Sequence, residues 1–355
     1  MGFKILAINP GSTSTKVALY YDERPLLDMT LRHTHDQLAR FHSIAEQMEW
    51  RRDMVLQGVA EHGFSISDLS AVIGRGGLTK PIEGGIYEVN DAMEHDLIHP
   101  RMQHACNLGG LIAREIARRA GIKAYIADPG VVDEMNEMVH VTGLPDIRRI
   151  SIFHALNQRA IARIHARRKG VAYEDMNLIV VHLGGGISVG AHCRGRVVDN
   201  NNALNGDGPF APERSGTLPA VSLVDLCFSG KYTREEMHKL LAGKGGITAH
   251  LGTNSIVTVV ERIERGDEHA KMILDAMCYN VGKQVGAMAA ALYGRIDGIL
   301  LTGGIANSNY VVDRIREQCS FLAPISVYAG ENELQSLVEN ALAVLRGEIE
   351  AKQYV

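Results

Sequence analysis

The chain has 355 residues, 46% hydrophobic and 22% charged, enough for two domains with substantial cores. A net charge of −4 gives no electrostatic case for nucleic-acid binding, so no nucleic-acid partner is expected. No apolar run approaches the roughly 20 residues of a membrane span, and Cys106, Cys193, Cys227, Cys278 and Cys319 are scattered without a C-x-x-C pair, as for reduced thiols in a cytoplasmic protein.

Residues 2–4 lead straight into an apolar run, 5–8, so no signal peptide is expected and the run reads as a buried strand. Asn9-Pro10-Gly11 is strong turn chemistry, and the alternation over 16–20 reads as a second strand, which makes the stretch a β-hairpin. Its tip carries Asn9, Ser12, Thr13 and Ser14, with Lys16 just beyond. Small residues and backbone N–H groups can wrap a phosphate there; a plain polar turn is the other reading. It is not a Walker loop, because no G-x-x-x-x-G-K-[ST] leads into a helix. Residues 36–62 have helical apolar spacing, and Arg51 and Arg52 are expected on a solvated face. Residues 71–73 form a short strand that ends at Gly74-Arg75-Gly76-Gly77. The flanking glycines leave Arg75 uncrowded, and its planar fork suits a carboxylate or phosphate, unless it is a surface Arg in a flexible turn. His104 opens the next helix, as an active-site His or one bonded within the helix start. Asp128 stands just past the strand 124–127, where ligands sit in open α/β sheets or where a turn is capped.

Phe153-His154 precedes a basic helix whose Arg159, Arg163, Arg167 and Arg168 read as a solvated face. The apolar strand 178–183, containing His182, runs into Gly184-Gly185-Gly186, and a short apolar strand follows. Two such hairpins, one in each half, suggest an internal duplication that holds a polyanion. Arg214 lies among turn residues beside Glu213, either as an anion-binding group or as one half of a structural ion pair. Residues 222–238 and 267–293 read as helices. A buried strand, 297–302, then turns at Gly303-Gly304-Ile305-Ala306-Asn307. After a last strand, 324–328, Glu333 begins the C-terminal helix, where a helix dipole favours an acid.

In that order the motifs resemble those of the acetate and sugar kinase, heat-shock chaperone and actin superfamily. Asn9-Pro10-Gly11-Ser12-Thr13-Ser14-Thr15-Lys16 is similar to the first phosphate loop of its acetate and butyrate kinases, and His182-Leu183-Gly184-Gly185-Gly186 to the second. The resemblance runs nearly end to end. It implies an α/β fold of two related domains, each a mixed sheet covered by helices, with the active site in the cleft between them. It places residues 1–148 and 335–355 in an N-terminal acyl-kinase domain and 149–334 in a nucleotide-binding domain. The implied activity is reversible, ATP-dependent and Mg²⁺-dependent phosphorylation of a short-chain carboxylate, butyrate first, in a fermentative, cytoplasmic homodimer or larger homo-oligomer. Acetate, propionate or branched-chain acids are alternative substrates, and a non-catalytic actin-like nucleotide-binding protein is an alternative of another class.

The resemblance also implies roles. Asn9, His104, Asp128, His154 and Arg214 are the catalytic set, to which the chemistry of its own glycine-flanked guanidinium, and not the family pattern, adds Arg75. Ser12, Thr13, Ser14, Lys16, His182, Gly184, Gly185 and Gly186 hold phosphates. Gly303, Gly304, Ile305 and Asn307 form the adenosine turn, and Asp128 and Glu333 orient Mg²⁺, partly through water. Two departures from the family pattern stand out. Acetate kinases place an anion-binding Arg where Val72 stands, so Arg75 is its expected replacement. They also close the acyl pocket with a Val where Gly74 stands, which leads us to expect a roomier pocket. The Ser-Asp-x-Arg that touches the nucleoside in related kinases is here Asn254-Ser255-Ile256-Val257.

Overall fold

In the computed structural model, which describes residues 2–100 and 102–355, the first apolar run forms β1 (Lys4–Pro10), followed across the hairpin by β2 (Ser14–Tyr21). Then come β3 (Arg24–Arg32), β4 (Ala71–Arg75), β5 (Ile86–Glu88) and β6 (Lys123–Ala127). They make a six-stranded sheet in the order β3-β2-β1-β4-β6-β5. The pairs β1–β4 and β4–β6 are parallel and the others antiparallel. Helix Asn107–Ala120 covers the sheet with Leu108, Leu111, Ile112 and Ile116, which join Leu6, Ile8, Val72 and Ile126 in one core. Burial of each such side chain contributes about 2 kcal/mol. The C-terminal helix, Glu333–Leu345, packs on β1 and β4.

The second sheet is built from β7 (Asn177–Leu183), β8 (Ile187–Cys193), β9 (Arg196–Asn200), β10 (Gly298–Gly303) and β11 (Ile325–Ala329). Its order is β11-β10-β7-β8-β9, with β7–β8 and β8–β9 antiparallel and β10 parallel to both β7 and β11. Read from the other edge this is the β3-β2-β1-β4-β6 pattern of the first sheet, so the duplication expected from the two hairpins is present in the topology. Helix Glu268–Ala291 buries Ile273, Leu274, Met277, Val281 and Val285 in one core. Helix Ala155–Lys169 contributes Ile161, Ala162 and Ala166 to another core, with Leu178, Val180 and Leu300.

Contacts divide the chain into Met1–Val132 with Asn332–Val355, and Asp133–Glu331. Residues 133–148 therefore go with the second unit and 332–334 with the first, whereas the sequence reading put the borders at 148 and 334. Other expectations also change. The helix expected over 36–62 is broken into His35–Leu38, a short 3₁₀ turn and Met48–Glu61. Residues 222–238 hold two helices, Ala220–Phe228 and Arg234–Leu241. Strands β3, β5 and β9 were not anticipated. Among the described residues no helix is long and apolar enough to cross a membrane.

Candidate active site

In the first unit the tip of the β1–β2 hairpin is set by Arg51. Expected on a solvated face, Arg51 is instead 1% exposed, and Arg52 is also buried, against Asp53 and Glu115. Apolar spacing could not reveal this, because the reason for burial is polar. The Arg51 guanidinium donates to Gly11 O at 2.8 Å, Ser12 O at 3.3 Å, Ser14 O at 3.4 Å and Thr15 Oγ1 at 3.2 Å, and to Gln47 Oε1 at 2.8 and 3.1 Å. In a trans peptide the following N–H points opposite to the carbonyl. Drawing the Gly11 and Ser12 carbonyls toward Arg51 therefore turns the N–H groups of Ser12 and Thr13 the other way. Both residues are exposed, and their N–H groups donate to no protein acceptor among the described residues. That is a nest of the kind that binds anions. Arg51 has no carboxylate within ion-pair distance among the described residues, and burial pushes its pKa down to about 10. It stays charged at neutral pH and places an uncompensated positive charge behind the tip.

Asn9, at the end of β1, donates through Nδ2 to Glu333 Oε2. Arg75 Nη1 donates to the same carboxylate oxygen at 3.2 Å and to Asn9 Oδ1 at 3.4 Å. Asn9, Arg75 and Glu333 thus form one cluster, and Arg75 is neither a loose surface group nor isolated from the hairpin. Val72 is wholly buried in the core. Lys16, opposite Asn9 in the hairpin register, is exposed.

The expectation for Gly74 is overturned. A Cβ there would lie 2.0 Å from Gly109 O and 2.3 Å from its carbonyl carbon. Gly74 lets β4 meet the backbone of helix Asn107–Ala120, so its missing side chain is filled by protein and widens no acyl pocket. His104 accepts from Cys106 N at 3.2 Å through Nδ1, which lies 2.9 Å from Cys106 Sγ. Burial pushes the Cys106 thiol up to about 11, so it is protonated, and its Sγ donates to Asn107 Oδ1 at 3.7 Å. Nδ1 is therefore engaged within the helix start and the ring proton sits on Nε2. Asp128 follows β6 in a left-handed conformation, φ 39°, and is 1% exposed; its Oδ1 accepts from Gly85 N at 2.8 Å.

In the second unit the β7–β8 hairpin pairs His182 with Ser188 and closes with Gly184 N donating to Gly186 O at 3.2 Å. His154, just before helix Ala155–Lys169, stacks on His182 with ring centroids 3.8 Å apart and planes at 11°. His182 is fixed by Asn157 Oδ1 at 2.8 Å from Nδ1, and Glu331 Oε1 lies 3.5 Å from its Nε2. Arg159, expected in solvent, is buried against Glu134 at 3.0 Å. Arg214 lies 3.8 Å from Glu213, too long for a bidentate pair, and its Nε is buried without a hydrogen-bond partner. Burial lowers its pKa, opposed by Glu213. An added Cβ on Gly186 would lie 3.6 Å from that Nε, so the guanidinium sits at the hairpin tip.

Gly303 meets β7 end-on with φ 89°, where a Cβ would lie 2.3 Å from Leu183 O. This close approach sets the Gly-Gly turn beside the second hairpin. Gly184, Gly185, Gly304, Ile305 and Asn307 all line one cavity of about 930 Å³, with Ile256, Val257, Val260 and Tyr310 as apolar wall. Asn254, the first residue of the stretch that replaces the family's Ser-Asp-x-Arg, also lines it and donates to Glu213 Oε1 at 2.8 Å. Among the described residues no three His, Cys, Asp or Glu stand together as a metal cage.

Two sheets of one topology, each with a polar hairpin at the ends of its central strands, together with an apolar cavity bounded by glycine turns, are the architecture of the actin-like ATPase fold. The Porphyromonas gingivalis acetate kinase shares this fold with a TM-score of 0.76 at 19% identity, over 97% of this chain and 100% of that one. Residues 141–342 match the acetokinase family. A probable butyrate kinase of Phocaeicola vulgatus is 56% identical over 351 residues, and one of Bacteroides thetaiotaomicron 52% over 352, each covering 99% of both chains. The chain belongs to the acetokinase family, kinases that use ATP and take a carboxylate as phosphoryl acceptor.

Proposed function

We propose that the protein is a butyrate kinase, which catalyses ATP + butyrate = ADP + butyryl phosphate in either direction. The observation that carries the reading is identity of 56% along the full chain with a protein named a probable butyrate kinase. Because the acyl phosphate is a mixed anhydride, it can return its phosphoryl group to ADP. A carboxylate is already ionised, so the enzyme must position and neutralise charge rather than supply a strong base.

In the first unit the outward N–H groups of Ser12 and Thr13, with the Ser12, Thr13 and Ser14 hydroxyls and Asn9, hold the travelling phosphoryl group, and Lys16 adds charge nearby. Arg75 neutralises one of two anions that otherwise repel, and His104 presents Nε2–H. In the second unit Gly184, Gly185 and Gly186 cradle the β-phosphate, and Arg214, with a spare donor at the tip, neutralises the other anion. His154 donates to an equatorial oxygen in the transition state, and His182 supports it from below. Gly303, Gly304, Ile305 and Asn307 bound the adenosine cavity.

Asp128 and Glu333 are the carboxylates that would hold Mg²⁺, an ion that keeps several waters and uses one or two carboxylates beside phosphate oxygens, and the chemistry it would supply there is neutralisation of the phosphates. The exposed apolar Val221, Val224 and Phe228, at 75%, 53% and 87%, are consistent with self-association, which sedimentation tests.

The decisive assay offers ATP with acids of two to six carbons and traps acyl phosphate with hydroxylamine. Each buried methylene contributes about 0.8 kcal/mol, so two more carbons favour butyrate over acetate by about 10-fold in kcat/KM. A preference for acetate would overturn the substrate and leave the carboxylate kinase standing.

A further inference from the structure

We infer that Tyr173, His192, Gln158 and Ser188 form a buried chain of hydrogen bonds that holds His154 as its Nε2–H tautomer, and that they are positioning residues for phosphoryl transfer. The inference rests on the reading of His154 as donor to the transferring group.

The direction of every bond can be worked out from Gln158. Its Nε2 lies 3.1 Å from Ser188 O, a carbonyl that can only accept, so the amide nitrogen faces Ser188 and the amide oxygen faces His192. That oxygen is 3.0 Å from His192 Nε2, which must therefore carry a proton. Burial pushes His192 down to about 3, so the ring is neutral and its Nδ1 accepts. Tyr173 supplies the proton from its hydroxyl at 2.7 Å. At the other end Ser188 Oγ receives Gln158 Nε2 at 2.9 Å and the His154 backbone N–H at 3.3 Å. With both acceptor positions filled, its hydroxyl proton points at His154 Nδ1, 2.8 Å away. A neutral imidazole that accepts at Nδ1 carries its proton on Nε2.

The chain is sealed from water. Gln158, Ser188 and His192 are 0% exposed and Tyr173 is 4% exposed. Apolar side chains could fill this space between helix Ala155–Lys169 and β8 without the demand that every polar atom find a partner. What the polar chain adds is a fixed tautomer and a fixed ring plane, the latter shared with the stacked His182. A donor aimed in advance is what phosphoryl transfer uses.

The test combines ring ¹⁵N spectra of the free protein with steady-state kinetics. Wild-type His154 should show a bare Nδ1 and a protonated Nε2. Ser188→Ala should mix the tautomers and lower kcat about 10-fold, less than the roughly 100-fold of a lost donor, with KM for ATP and acid nearly unchanged. Tyr173→Phe, which removes one oxygen, should lower kcat a few-fold and keeps the test open if Ser188→Ala fails to fold. A wild-type His154 protonated on Nδ1 overturns the inference, as does a Ser188→Ala that folds with unchanged kcat. His154→Phe, which keeps a ring to stack on His182 but has no N–H, separates the two claims: wild-type turnover there removes the donor role itself, whatever tautomer the spectra show.

Discussion

Arg51→Met is the most informative single change, because it removes a buried charge and replaces its stem with one of similar length. The guanidinium serves Gly11 O, Ser12 O, Thr15 Oγ1 and Gln47 Oε1, each at 3.3 Å or less. Hydrogen bonds from a charged donor contribute about 1.5 kcal/mol each at the low end, roughly 6 kcal/mol together. Against this stands the cost of keeping the charge dry. The fall of its pKa from 12.5 to about 10 corresponds to about 3 kcal/mol. The variant should therefore lose about 3 kcal/mol of stability, read as a thermal midpoint lower by several degrees. The functional loss should be larger than the stability loss implies. Without Arg51 the tip carbonyls are free to turn outward, the Ser12 and Thr13 N–H groups no longer converge, and the charge behind the phosphate is gone. Loss of a preorganised site of this kind should lower kcat at least 100-fold. Arg51→Lys should recover charge but not the multiple carbonyl contacts, and so only part of the rate. The measurements are thermal unfolding by circular dichroism and initial rates with saturating ATP and butyrate. An Arg51→Met protein that folds and turns over like wild type would refute the assignment of hairpin geometry to Arg51.

Gly74→Val should abolish folding rather than shift acid preference, because its Cβ would sit 2.0 Å from Gly109 O; soluble, active Gly74→Val with altered chain-length preference would contradict this. Arg214→Ala should lower acid-dependent turnover severely while nucleotide binding, followed by calorimetry, persists; full activity would return Arg214 to a structural role. Acid should destabilise the fold through His33 and His192, whose pKa values burial depresses to about 4 and about 3. Both rings are neutral in both states above about pH 6.5, so neither contributes there; as pH falls the unfolded chain takes up protons first, and at pH 5 each group costs about 2 kcal/mol. The thermal midpoint of His192→Gln should fall less steeply between pH 6.5 and 4 than that of the wild type, and equal slopes would refute the point.

The sequence by itself determined the pieces that depend on neighbours in the chain. Apolar runs broken by Asn9-Pro10-Gly11 and Gly184-Gly185-Gly186 are local instructions for hairpins, and both hairpins formed with their polar tips as read. The Gly303-Gly304 turn is likewise local, and its place as the third motif after the two hairpins pointed to the cavity that Gly304, Ile305 and Asn307 line. Tertiary structure alone decided which charged residues are buried, since a helix face carries no mark of what it will meet. Arg51 lies 40 positions from the carbonyl it grips at Gly11, and Arg159 is 25 positions from Glu134. Read by periodicity both look like solvated arginines; they are buried because distant polar partners repay their desolvation. Gly74 was misread for the matching reason. A missing side chain looks like open space in a sequence, but close packing fills it, here with the backbone of Gly109. The chain from Tyr173 to His154 was equally illegible, because each link joins residues that only the packing of helix Ala155–Lys169 on β8 brings within hydrogen-bond reach.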